Sequence, residues 1–159
     1  MKTNKIFSLI TISTLCLTLL STQCSSDDPA IFSIDDTIDQ IENNVISGGW
    51  IITYFYDTDS DETSDYNGYL FDFGANGVLT ASDDNNTYTG TWSVTEDSSS
   101  SDDSSFDDDI DFNIFFSSPE IFAELSDDWD IISQNSTEIK LIDISGGNGG
   151  TDYLTFTKQ

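Results

Sequence analysis

From residue 48 to residue 158, apolar and polar side chains alternate with a period of two, and short clusters of turn-forming residues interrupt the alternation at regular intervals. Such a pattern reads as strands with one buried and one wet face. Residues 50–56 are dense in aromatic and β-branched types, and 66–73 follow with Tyr69, Phe71 and Phe73 on one side. Asn76-Gly77 is a hairpin signal leading into residues 78–82. Residues 88–95 alternate most cleanly, with Tyr88, Gly90, Trp92 and Val94 expected inward and Thr89, Thr91, Ser93 and Thr95 outward. Ile110, Phe112, Ile114 and Phe116 make a similar inward row against Asp109, Asp111 and Asn113. Segments 129–133, 138–144 and 152–158 complete eight strands in meander order, the last two separated by a glycine-rich run at 146–150.

The period differs on either side of this region and once within it. Ile34, Ile38, Ile41 and Val45 are spaced four, three and four apart, which lines one face of a helix over residues 33–45, with Ser33 and Asp36 placed as a short capping box. Ser118-Pro119 starts a turn of helix reaching Leu125, with Pro119 at the first helical position. Residues 96–108 are almost entirely Ser and Asp and read as a solvated loop.

Upstream, Lys2 and Lys5 precede an apolar run of 15 residues at 6–20, followed at once by the polar stretch S-T-Q-C-S-S-D-D. A basic region, an apolar region and a polar exit are the parts of an export signal. The run falls short of the roughly 20 residues that span a bilayer as a helix. Ser21, Thr22, Gln23 and Cys24 resemble the processing box of bacterial lipoproteins, with Gln23 where the usual box has Gly or Ala. The resemblance implies that 1–23 is removed, that Cys24 is lipidated, and that 24–32 is an acidic tether whose Ser-Ser-Asp-Asp is similar to a surface-export tag. It thus implies a lipid-anchored protein of a Gram-negative outer membrane, exposed at the cell surface. Several acyl chains, at about 0.8 kcal/mol per buried methylene, make a lasting anchor where one is marginal. Cys16 lies in the segment expected to be lost, so the mature chain would have no disulfide.

Charge narrows the partners. A chain starting at Cys24 keeps two of the four lysines and all 30 acidic residues, a net charge of 2 − 30 = −28. Nucleic acid is excluded, because affinity there comes from cations that neutralise phosphates. With no His and no Arg, His-based acid–base chemistry, His metal sites and Arg clamps are excluded as well. No enzyme is expected. The chain's 11 Phe, 6 Tyr and 3 Trp supply a core large enough for one folded domain, expected over 33–159.

Eight antiparallel strands in this length suit an all-β, up-and-down barrel led by one short helix, since closure removes the sheet edges. The order G-x-W at Gly48–Trp50, F-D-F-x-x-N-G at 71–77, a second G-x-W at Gly90–Trp92, S-D-D-W at 126–129 and Y-L-T-F at 153–156 resembles the lipocalin-like domains of small bacterial lipoproteins, over residues 46–158. Classical lipocalins place an Arg across the opening Trp, and this chain has none.

Two places offer chemistry. The barrel interior is either filled by side chains or wide enough for one small ligand, and inward Trp50, Phe71, Trp92, Phe112 and Phe116 weigh towards filling. Asp57, Asp59 and Asp61 alternate as the first ligands of a calcium loop do, but Glu62 and Gly68 stand where such a loop needs Gly and Glu. A helix-loop-helix calcium hand is thereby excluded. A looser Ca²⁺ site, with an affinity of roughly 0.1 to 1 mM as in extracellular modules, remains as an expectation beside the plainer one of a solvated charge run. Asp102, Asp103, Asp107, Asp108 and Asp109 form a similar cluster. The expected function is a non-catalytic binding module for an apolar or carbohydrate ligand. The alternative is a structural or protein-interaction component of a surface assembly.

Overall fold

The structure, a computed structural model, describes residues 34–96, 110–144 and 150–159. The export segment 1–23, Cys24 and its tether to residue 32, the cap Ser33, residues 97–109 with their aspartates, and residues 145–149 lie outside the described residues.

The elements in chain order are α1 (Ile34–Val45), β1 (Gly49–Asp57), β2 (Ser60–Asp61), a 3-10 turn (Thr63–Tyr66), β3 (Leu70–Phe73), β4 (Val78–Ser82), β5 (Thr87–Glu96), β6 (Ile110–Phe115), α2 (Glu120–Ala123), β7 (Asp127–Gln134), β8 (Glu138–Asp143) and β9 (Asp152–Lys158). From β3 to β9 each strand pairs antiparallel with the next, and β1 pairs with both β3 and β9. The result is a closed, eight-stranded, up-and-down barrel with one short helix before its first strand; β2 only folds the tip of β1 back on itself.

The alternation read from the sequence places the core. Gly90, Trp92 and Val94 face inward on β5, as do Ile110, Phe112 and Ile114 on β6 and Leu154 and Phe156 on β9. On β1 the buried positions are Trp50, Ile52 and then Phe55, because a bulge between Ile52 and Tyr54 inserts one residue and shifts the phase. Gly90 is glycine for lack of room: a Cβ there would collide with the Phe115 carbonyl and the Phe116 ring. Ring pairs knit the strands together, with Phe73 meeting Trp92, Phe112 and Phe156 at 5.3, 5.7 and 5.4 Å.

Helix α1 closes the base. Ile41 and Val45 are buried and Ile34 and Ile38 half-buried, so the four-three-four stripe is the packed face. Its final carbonyls are capped by groups near and far in sequence. Trp50 Nε1–H donates to the Val45 carbonyl at 2.8 Å, while the Ser47 hydroxyl and Lys158 Nζ donate to the Asn44 carbonyl at 3.0 and 3.3 Å. A cation at a helix C-terminus is favourable. Lys158 Nζ also lies 4.9 Å from the centre of the Trp50 ring, a favourable cation–π contact.

Three local expectations need correction. The strand expected over 66–73 is split: Tyr66 belongs to a 3-10 turn, Gly68 has φ +89°, and only Leu70–Phe73 is strand. Asn76-Gly77 ends a hairpin into β4 as read, with Gly77 at positive φ (+77°) as the last residue of a four-residue turn, closed by its N–H to the Gly74 carbonyl at 3.0 Å. The strand expected over 129–133 begins earlier, at Asp127, because Asp127 and Asp128 pair with Ile114 and Asn113. Pro119 stands one place before α2, its ψ of 173° being extended.

Candidate functional site

The barrel interior is the first candidate, and side chains fill it. Trp50, Phe71, Phe73, Phe112, Trp129 and Phe156 are each at most 1% exposed. Grooves do open on the exterior. One of about 400 Å³ runs past Thr91, Ser93, Asn113 and Phe115, and another lies between α1 and β7 beside Ile131 and Ile132.

The mouth, opposite α1, is closed by the β6–β7 connection. Phe122 of α2 is fully buried with its ring 4.9 Å from Tyr88, 5.0 Å from Tyr69, 5.3 Å from Phe116, 5.9 Å from Tyr66 and 6.1 Å from Phe71. Two hydroxyls clasp the segment. Tyr66 O–H donates to the Ile121 carbonyl at 2.6 Å, and the Ser126 hydroxyl accepts the Phe116 N–H at 2.9 Å while donating to its carbonyl. Burial, then Glu124, Glu62, Asp65 and Asp57, push the Tyr66 phenol far above its ordinary range, so it stays protonated and remains a donor.

Carboxylates crowd this mouth. Burial raises Glu124, helped by the charges of Glu62 and Asp57, a hydrogen bond with Glu62, and Glu120. Asp127 and Asp143 both face inward near the mouth. Burial, a hydrogen bond with Asp128 and the charge of Asp143 push Asp127 up to about 6. The closure therefore holds like charges together.

The calcium candidates behave differently. Asp57 pairs with Ser60 and Tyr56 with Asp61, so the alternation of a ladder sends the Asp57 and Asp61 side chains to opposite faces of the hairpin. Asp59 lies in the turn between them, next to Thr58 at φ +49°. Hydrogen bonds from the Thr63 hydroxyl, and then from the Thr63 N–H at 3.1 Å, lower the pKa of the Asp61 carboxylate. The alternate spacing thus becomes a hairpin tip that does not gather the three. Among the described residues no group of three His, Cys, Asp or Glu is placed to hold a metal ion. Cys24 lies outside the described residues.

Two features of this architecture escaped the sequence reading. Phe122 follows Pro119 in a short apolar cluster with Ile121, Ala123 and Leu125 inside the β6–β7 connection, which is a signal for a buried plug. Lys158 sits at the end of the strand that closes on Trp50, and only the closure makes them neighbours.

Fold and geometry together define a small closed β-barrel with a filled interior. No protein-family model matches the chain. No curated protein matches it either. Among solved structures, it is similar to the crystal structure of a DUF4847 family protein from Bacteroides vulgatus ATCC 8482, with 19% identity over 75% of this chain and 99% of that one, at a TM-score of 0.43.

Proposed function

We propose that this chain is a non-catalytic surface lipoprotein, anchored in the outer membrane through lipidated Cys24, whose recognition surface is the outside of its barrel. The observation that supports this reading is the packing of the interior: aromatic and aliphatic side chains occupy it from Trp50 at the base to Phe122 at the mouth. A ligand inside would have to displace the protein's own core. The absence of His and Arg from the sequence keeps the common acid–base and phosphate-handling chemistries out of reach, and the net charge turns nucleic acid away.

Native mass spectrometry of the protein from its own host tests the reading. The expected result is the bare protein mass with its lipid. A discrete further mass of a few hundred daltons that survives substitution of the outward-facing aromatic residues would place a ligand in the interior and overturn it. Lipidation is tested separately, because Cys24→Ala is expected to release the protein from membranes and retention would remove the anchor.

A further inference from the structure

Charge is unevenly distributed around the barrel wall. On the outside of β5, β6 and β7, successive rows read Thr95, Asp111, Asp130 and Ser93, Asn113, Asp128. On the outside of β8, β9 and β1 the corresponding rows read Ile142, Tyr153, Tyr56 and Lys140, Thr155, Tyr54. The next position along β8 on this face is Glu138, and it forms an ion pair with Lys140 at 2.9 Å, so these rows carry no net charge. In a chain of net charge −26 these neutral rows contrast with the β5–β7 wall beside them, and carboxylates bound them: Asp130 pairs with Ile142 on one side and Asp61 with Tyr56 on the other. The face is also aromatic. Tyr54 is 40% exposed, and the Tyr54 and Tyr56 rings lie 6.4 Å apart and within 14° of parallel. Tyr153 is the direct cross-strand neighbour of Tyr56, and Ile144, 64% exposed, extends the apolar end just beyond Ile142.

Charge complementarity selects the occupant. An anionic partner, or a second copy of this chain, is repelled by the molecule as a whole. A basic partner finds its carboxylates along the β5–β7 wall and, on this face, only at the Asp61 and Asp130 rims. An uncharged ligand meets neither obstacle. Tyr rings offer it broad, rigid, amphipathic contact at a low cost in conformational entropy. The hydroxyls of Thr155, and of Thr53 and Thr157, which meet each other at 2.9 Å, supply hydrogen bonding beside them. Flat apolar C–H faces edged by hydroxyls are the chemistry of a sugar ring.

We propose that the β8–β9–β1 face is a docking platform for a neutral polysaccharide, with Tyr54, Tyr56 and Tyr153 stacking against sugar rings. This rests on the reading that the barrel works from its outside. It gives that outside a face and a ligand class.

The test is affinity electrophoresis of the intact protein, extracted in a non-ionic detergent, through native gels cast with soluble starch, galactomannan, xyloglucan, dextran or yeast mannan, and with alginate as the charged control. Retardation is expected in at least one neutral gel and not in alginate. The Tyr54→Thr/Tyr153→Thr double variant keeps β-branched residues in both strands. It is expected to lose at least tenfold in apparent affinity with its melting temperature nearly unchanged, whereas Thr89→Ala, outward on β5 across the barrel from β9, should bind as before.

Migration unaffected by every neutral gel overturns the proposal. Retardation that survives in the double variant also overturns it, since the sugar would then bind elsewhere. Should a photocrosslinker at Tyr54 capture a protein on intact cells while all neutral gels are silent, the face is a protein interface and the glycan assignment falls. A ligand found inside the barrel by mass spectrometry would sink the filled-barrel reading and still leave the gel result to stand on its own.

Discussion

At the base of the barrel a 12-residue helix lies across the opening, and its last carbonyls meet the Lys158 ammonium, the Ser47 hydroxyl and the Trp50 indole. At the mouth a four-residue helix drops Phe122 among five rings, while Glu124 is held near Glu62 and Asp57, and Asp127 near Asp143. One end is closed with charge and the other against it. Hydrophobic packing must carry the mouth, because its electrostatics oppose closure. At the base, packing and electrostatics act together.

The largest break in that comparison is Phe122→Ala. Removing a buried Phe typically costs about 3 to 5 kcal/mol, as lost transfer energy plus a cavity, and nothing charged at the mouth compensates. Urea unfolding is expected to show a loss in that range. A loss below about 1 kcal/mol would mean that the plug contributes little to the barrel.

Lys158→Met keeps the length and apolar stem while removing the charge from both the helix terminus and the Trp50 ring. A loss of about 1 to 2 kcal/mol is expected from those two contacts together. Lys140→Met is the matched control, because it changes net charge equally but removes only a surface pair with Glu138, the kind worth about 0 to 1 kcal/mol. Equal losses in the two variants would show that Lys158 acts through net charge alone.

The two ends also differ in how far the sequence disclosed them. The base was legible because the stripe of Ile34, Ile38, Ile41 and Val45 has a period that survives into the packed face. The strands were legible for the same reason: period-two alternation at 88–95 and 110–116 is the burial pattern itself. What the sequence left hidden depends on contacts made only when the barrel closes. Lys158 and Trp50 are 108 positions apart, and Tyr66 and Ile121 are 55 apart. Tyr66 belongs to an aromatic run that reads as strand, and its donation to Ile121 ties it instead to the plug. The D-T-D-S-D spacing resembled the start of a metal loop because spacing says nothing of hairpin phase, and the phase separates Asp57 from Asp61. The neutral tyrosine face was hidden likewise, since its rows combine residues from both ends of the chain.

A smaller perturbation separates the plug's clasp from its packing. Tyr66→Phe keeps the ring among Phe55 and Phe122 and deletes only the donation to the Ile121 carbonyl. A net loss of about 1 kcal/mol is expected, with some penalty for the carbonyl left behind. Hydrogen exchange localises the effect: the amides of Phe122, Ala123 and Glu124, bonded to Pro119 and Glu120 carbonyls, should exchange faster in the variant, and the strands should lose only what global stability loses. Uniform acceleration throughout the barrel would mean the plug does not open separately.

The smallest effect concerns charge at the mouth and has a definite sign. Asp127 has an ordinary carboxyl pKa near 3.8 when unfolded and is pushed up to about 6 in the fold, chiefly by burial. Between these values the native state binds the proton first, so stability rises as pH falls from 7 towards 4 and is lost as pH rises through 6. Below the unfolded value both states are protonated and the gain is complete. Because Asp127 is partly exposed, solvent screening reduces the expected gain to about 1 kcal/mol. Glu124 is shifted the same way and adds to it. Acid also relieves the repulsion of the whole −26 chain, so wild type alone does not isolate the mouth. Asp127→Asn does: its unfolding free energy should gain less than wild type between pH 7 and 4, by most of that roughly 1 kcal/mol. Since burial is the main cause, 0.5 M NaCl should shrink the overall slope of both proteins while leaving most of the difference between them. Parallel slopes at low salt would show that Asp127 titrates as an ordinary surface acid, and the contrast between the two ends would then rest on Phe122 and Lys158 alone.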